Sequence, residues 1–192
     1  MRSMIVLASL FAALPAFAGN DSAYTDFDFK KCKQLTPAEE IGESSGLFEC
    51  KGFKGLPVYF AEGDLRQVMA FGKGGQDHCA IHQSFGGFNS VGNKIEWRLK
   101  DGKPIASILR WSVSYDPENS EKQKSWLVVT KLEDGQSCRM GLVEGGFPNA
   151  NEEARKIADT QWSKFRCAGG VPRVLANPGT DTSGLSEPDC LQ

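Results

Sequence analysis

IEWRLKDGKPIASILRW, residues 95–111, sets Ile95, Trp97 and Leu99 against Glu96, Arg98 and Lys100 before Asp101 and Gly102 interrupt the pattern. Alternation with a period of two marks a strand with one apolar face, and Asp-Gly is turn chemistry. The first strand is therefore expected to turn its charged face to water. The run that follows, Pro104 to Val113, is apolar on both faces except for Ser107, Arg110 and Ser112, which predicts a central strand covered on both sides.

Working outward, Leu56, Val58 and Phe60 alternate with Pro57, Tyr59 and Ala61, and Leu65, Gln67, Met69 and Phe71 follow a turn at Glu62, Gly63 and Asp64. Trp126 to Leu132 and Cys138 to Val143 read as two further strands around the turn residues Glu133 to Gln136. Strands joined by short turns favour an antiparallel meander. The period changes only between Asn149 and Phe165, where Ala150, Ala154, Ile157, Ala158, Trp162 and Phe165 recur at three- and four-residue steps. This predicts one long C-terminal helix, with Asn149 and Glu152 as its N-cap pair and Gly169, Gly170 and Pro172 after its end. The fold class expected is α+β: a meander sheet with that helix packed on it.

The N-terminus carries Arg2, an apolar run from Met4 to Leu14 broken by Ser9, then Pro15 and the small-x-small triplet Ala16, Phe17, Ala18. That is the pattern of a secretory signal peptide over residues 1–18, cleaved near Ala18, and the run falls short of the roughly 18 apolar residues of a membrane span. The mature chain is expected to be periplasmic or secreted without a transmembrane anchor, with residues 19–170 as a single domain and 171–192 as an extended tail. With 22 basic and 24 acidic residues in 192, the balance disfavours nucleic acid, which needs clustered Lys and Arg.

Export to an oxidising compartment makes the six cysteines disulfide material. Cys32 and Cys50 flank a polar, turn-rich stretch, and Cys138 opens a strand while Cys167 follows the helix. These two pairs follow from local organisation, and Cys79 with Cys190 follows by elimination. The absence of a CxxC spacing removes thioredoxin-like and zinc-ribbon readings.

The sequence has no nucleophile elbow, HExxH or phosphate loop, and Gly72, Gly74 and Gly75 lack the strand-loop-helix context of a dinucleotide site. No enzyme activity and no cofactor are expected. The candidate binding residues are Tyr59, Glu62, Asp64 and Arg66 around one turn, and Arg98 and Arg110 on neighbouring strands, where Arg110 either meets a partner or is neutralised by Glu96 across the sheet. His78 and His82, both histidines of the chain, have the four-residue spacing that would put two metal ligands on one face of an α-helix. The functional expectation is a non-enzymatic protein that binds a protein or cell-envelope partner, with metal binding by His78 and His82 as an alternative.

FECKGFKGLPVYFAEGDLR, IEWRLKDGKPIASILRW, WLVVTKL and NANEEARKIADTQWSKFRC resemble a group of small exported proteins of unknown function from rhizobium-like alphaproteobacteria, across most of residues 24–170. The resemblance implies a Gram-negative periplasmic or secreted setting and carries no activity. The turn Glu62 to Asp64 and the region Asp101 to Lys131 are also faintly similar to periplasmic inhibitors of invertebrate-type lysozyme, which implies an inhibitor as a further alternative. The serine- and glycine-rich loop of those inhibitors is replaced here by Glu133 to Ser137.

Overall fold

A computed structural model describes residues 21–37, 45–185 and Cys190. The expected signal peptide with its cleavage point, and most of the last seven residues, lie outside the described residues.

The quoted stretch forms a hairpin, β6 (Asn89–Lys100) and β7 (Lys103–Ser114), joined by Asp101 and Gly102 with φ of 50° and 72°. Positive φ at both central residues is what a two-residue turn needs to match strand twist, and Asp-Gly supplies it. The meander continues through β8 (Gln123–Glu133) and β9 (Gln136–Glu144) around Asp134 and Gly135. At its edges stand β1 (Asp21–Asp26), antiparallel to β6, and β10 (Arg173–Leu175), parallel to β9. The six-stranded order is β1-β6-β7-β8-β9-β10.

The remaining strands do not join that sheet. Instead β2 (Lys33–Gln34), β3 (Gly46–Lys51), β4 (Pro57–Gly63) and β5 (Arg66–Phe71) make a second, four-stranded antiparallel sheet. The expectation of a single sheet is therefore corrected to two, because the alternating apolar faces of β3–β5 are buried against β6–β9 rather than hydrogen-bonded beside them. Phe60, Met69 and Phe71 meet Trp97, Leu109 and Trp111 in one core, with the Phe71 and Trp97 rings edge-to-face at 5.6 Å. The outer face of the large sheet holds a second core of Ala106, Ile108, Val129, Met140 and Val143.

α1 (Ala150–Gln161) closes this second core with Ala154, Ile157 and Ala158. Gly141 lets it approach, since a Cβ there would stand 2.7 Å from Ile157 Cγ2. Ile157 is 1% exposed, and its burial is worth about 1.5–3 kcal/mol. β7 is central and covered on both faces, as its composition predicted. The expected N-cap is not formed: Asn149 sits at φ 54° without a side-chain cap, a left-handed conformation that asparagine tolerates.

Two expectations for the charged face of β6 are also corrected. Glu96 and Arg98 do not face water; they are 8% and 6% exposed because α1 and β1 close over them. Glu96 accepts from Arg155 Nε at 2.7 Å and from Ser22 Oγ at 2.5 Å, while Arg98 donates twice to Asp159 at 2.9 and 2.7 Å. Its hydrogen bond to Glu96 makes the Arg155 guanidinium harder to deprotonate than usual. Arg110 lies opposite Leu127 and donates to Ser125 Oγ, so it is not the partner of Glu96.

The three disulfides are Cys32–Cys50, Cys79–Cys190 and Cys138–Cys167. Beyond Gly170 the chain is more than a tail: it contributes β10, and Leu185 enters the core between the sheets. Glu144 Oε2 holds the segment by accepting from the Asn177 amide at 2.7 Å and from Thr180 Oγ1 at 3.0 Å. Burial pushes the Glu144 carboxyl up, but Asn177, Thr180 and Lys124 outweigh it and hold the group below its ordinary 4.5. A lowered folded value gives stability that is complete above the unfolded value and lost as pH falls through the folded one. Amide exchange at Asn177 and Thr180 is expected to accelerate selectively as pH drops below about 4.5, beyond the intrinsic pH dependence of exchange. Glu144→Gln is expected to exchange faster at neutral pH and to lack that acid step.

Candidate functional site

Four segments converge at one end of the molecule: the β4–β5 turn, residues 86–89 leading into β6, the β7–β8 loop and residues 181–185. Backbone hydrogen bonds knit them, from Asn89 N to Leu65 O, Ser114 N to Phe88 O and Gly86 N to Gly184 O. Between them lies a groove of about 370 Å³ whose lining includes Arg66, Phe88, Tyr115, Lys124, Trp126 and Asp181. That volume falls in the range of small-ligand clefts, about 300–1,000 Å³. Gly87 permits the close approach here, because a Cβ would collide with the Ser114 carbonyl oxygen.

The turn beside the groove carries backbone strain. Strand pairing runs to Gly63 opposite Arg66, so the two turn residues are Asp64 and Leu65, with φ of 50° and 57°. Leucine in the left-handed region costs about 1–2 kcal/mol. It is held there with its side chain 61% exposed. Arg66 locks the arrangement: its guanidinium donates to the Asp64 carbonyl and carboxylate and to Gly86 O, and lies 5.1 Å from the Phe88 ring centroid. Lys124 lies 5.5 Å from the Tyr115 ring and pairs with Glu144 at 3.5 Å. Each ring therefore has a cation fixing its orientation while Phe88 stays 36% and Tyr115 53% exposed.

Strain at an exposed apolar tip next to two ordered aromatics is the kind of outlier that accompanies function. Leu65→Gly is expected to raise stability by about 1 kcal/mol, since glycine adopts positive φ without penalty. The corresponding rise in melting temperature, about 2–4 °C for a chain of this size, is readable by calorimetry.

The candidate residues named from the sequence separate into several places. Arg66 lines the groove, Asp64 stands in the adjoining turn, and Glu62 is one pair further down the hairpin, accepting from Gln67 Nε2 at 2.8 Å. Tyr59 is 7% exposed on the outer side of the small sheet, against Ala70 and Ala80, and burial followed by the nearby Glu49 charge pushes its phenol up. Arg98 lies beneath α1, and Arg110 stands beside Ser125. Leu65, Phe88 and Tyr115 were missed. Leu65 reads in sequence as the first apolar position of a strand, and isolated aromatics in loops give no periodic signal.

His78 and His82 do not share an α-helical face, because Cys79–His82 is a short 3-10 turn. His78 is buried with Nδ1 at 3.1 Å from both Phe71 O and Ser137 Oγ, whereas His82 is exposed. A carbonyl can only accept, so Nδ1 carries its proton toward Phe71. Among the described residues no group of three or more His, Cys, Asp or Glu is placed to hold a metal ion. Between β8 and β9 the chain makes the two-residue turn Asp134 and Gly135.

A second hollow, beside Cys32–Cys50, sets Lys31 and Lys33 against Asp28 and Glu49 and has no exposed aromatic in its lining. Among the described residues no helix is long and apolar enough to cross a membrane. Comparison with family models, curated proteins and solved structures finds no match to this chain.

Proposed function

We propose that this chain is an exported, non-enzymatic binding protein whose contact surface is the end built around Leu65, Phe88 and Tyr115. The observation that carries the reading is the strained, exposed Leu65 held beside two cation-braced aromatic rings. Three disulfides accord with an oxidising compartment, periplasmic or extracellular. The mature domain would meet its partner through preformed geometry, because Arg66 and the Ser114–Phe88 pairing fix the surface before contact, which lowers the ordering cost of association.

Capture from an envelope extract tests this when variants are compared. Tyr115→Ala and Leu65→Gly are expected to lose a component that the wild type retains, while Lys156→Ala, on the exposed side of α1, retains it. Equal capture by all four proteins would remove the assignment of this end as the contact surface, and the melting temperature of each variant separates lost contact from lost fold.

A further inference from the structure

Phe88 and Tyr115 offer flat apolar faces of the kind on which sugar rings stack through their C–H groups, and the polar groups around them are of a particular kind. The charged side chains that line the groove cancel, Arg66 and Lys124 against Asp116 and Asp181. Three of the four are also engaged within the protein: Arg66 with Asp64 and Gly86, Lys124 with Glu144 and Thr180, and Asp116 with Lys122 at 2.7 Å. The fourth, Asp181, accepts from the Ser183 amide at 2.9 Å and is held below the usual carboxylate range by it. A phosphate, a nucleic acid or a strongly acidic peptide would find no uncompensated positive charge here. The groups that remain suit a neutral molecule dense in hydroxyls: the hydroxyl of Ser120, the acceptor lone pairs of the Ser114 and Ser183 hydroxyls, which donate to Asp116 O and to Asp181, and the Asp116 and Asp181 carboxylates, able to accept from O–H. Trp126 and Leu185, 2% and 6% exposed, make an apolar floor.

From this combination we infer that the groove binds a neutral oligosaccharide, stacked on Tyr115 and Phe88 with its hydroxyls directed at Asp181 and the serines. The inference rests on the binding reading above and names the ligand class of the same surface. An extended peptide would use the same apolar floor, but it would need a strand edge with free amides and carbonyls, and Ser114 N is already committed to Phe88 O.

The test is calorimetric titration of the disulfide-intact protein with three neutral tetrasaccharides: β-1,4-linked glucose, α-1,4-linked glucose and β-1,4-linked N-acetylglucosamine. At least one is expected to bind. Tyr115→Ala and Phe88→Ala are each expected to weaken it about tenfold, the size of one lost aromatic contact, while both variants still melt cooperatively as folded proteins. Lys156→Ala should leave it unchanged. Binding of none of the three, or binding indifferent to both aromatic substitutions, overturns the inference. If no tetrasaccharide binds while capture of a protein from the envelope still depends on Tyr115, the glycan assignment fails and the contact surface stands. If capture is indifferent as well, both fail.

Discussion

Glu96→Ala is expected to lower stability by about 3 kcal/mol, which for a chain of this size is a fall in melting temperature of about 6–12 °C. The Glu96 and Arg98 side chains are 11% and 8% exposed, within a network that also holds Ser22, Asp159 and Arg155. Removing one partner of a buried pair strands the other, at a cost of about 3–5 kcal/mol in general. The lower end applies because Arg155 is 34% exposed and can turn toward water, and because Arg98 keeps Asp159. The network joins β1, β6 and α1, so its loss should loosen both the edge strand and the helix. Glu96→Ala with Arg155→Met should recover part of the loss, since the freed cation is then gone; thermal melts of the two variants and the wild type check this. A double variant no more stable than Glu96→Ala would mean that the network acts through Arg98 alone.

Removal of Cys138–Cys167 by paired serine substitution is the second large effect. The bridge closes a span of 29 residues that contains the whole of α1 and ties its far end to β9. The chain-entropy model puts such a loop at about 3–4 kcal/mol, and Cys138 is fully buried, so a serine hydroxyl there adds a desolvation cost. A fall in melting temperature of about 6–16 °C is expected by calorimetry. Hydrogen exchange should localise the faster opening to residues 150–161 first, because the covalent link to the sheet is what has been cut. Uniform acceleration across both sheets would instead show that the helix and the sheets open as one unit.

The fold was legible where local pattern and tertiary environment agree. The stretch from Ile95 to Trp111 gave a hairpin with its Asp-Gly turn, Pro104 to Val113 gave a doubly covered strand, and the three-to-four periodicity of Ile157 and its neighbours gave the helix. The pattern failed where a partner element decides burial. Glu96 and Arg98 have the composition of a wet face, and only the arrival of Arg155 and Asp159 from 59 and 61 residues away makes them an interior pair. Alternation in β4 and β5 shows strands but does not say which sheet they join, so two sheets read as one. The cysteine pairings were recoverable because each joins segments that local structure already sets as neighbours or leaves over.

The site was less legible for a physical reason. Asp64 and Arg66 drew attention as charges at a turn, but Glu62 and Gly63 are still paired strand residues and the turn is Asp64 and Leu65. Leucine at φ 57° is a conformation that sequence statistics do not anticipate. Phe88 and Tyr115 are 27 residues apart and become neighbours only through the pairing of Ser114 with Phe88 across the ends of β6 and β7. Arg98 and Arg110 looked equivalent to Arg66 in sequence, yet one is buried and the other bonds to Ser125.

The most direct measurement of the central claim is photo-crosslinking in cells that export the protein, with a photoreactive amino acid placed in turn at Leu65, Tyr115 and, as a control, Lys156. The account expects an adduct of defined mass from the Leu65 and Tyr115 positions and none from Lys156. Adducts from Lys156 equal to those from the other two, or none from Leu65 and Tyr115 while the protein is folded and exported, would contradict it.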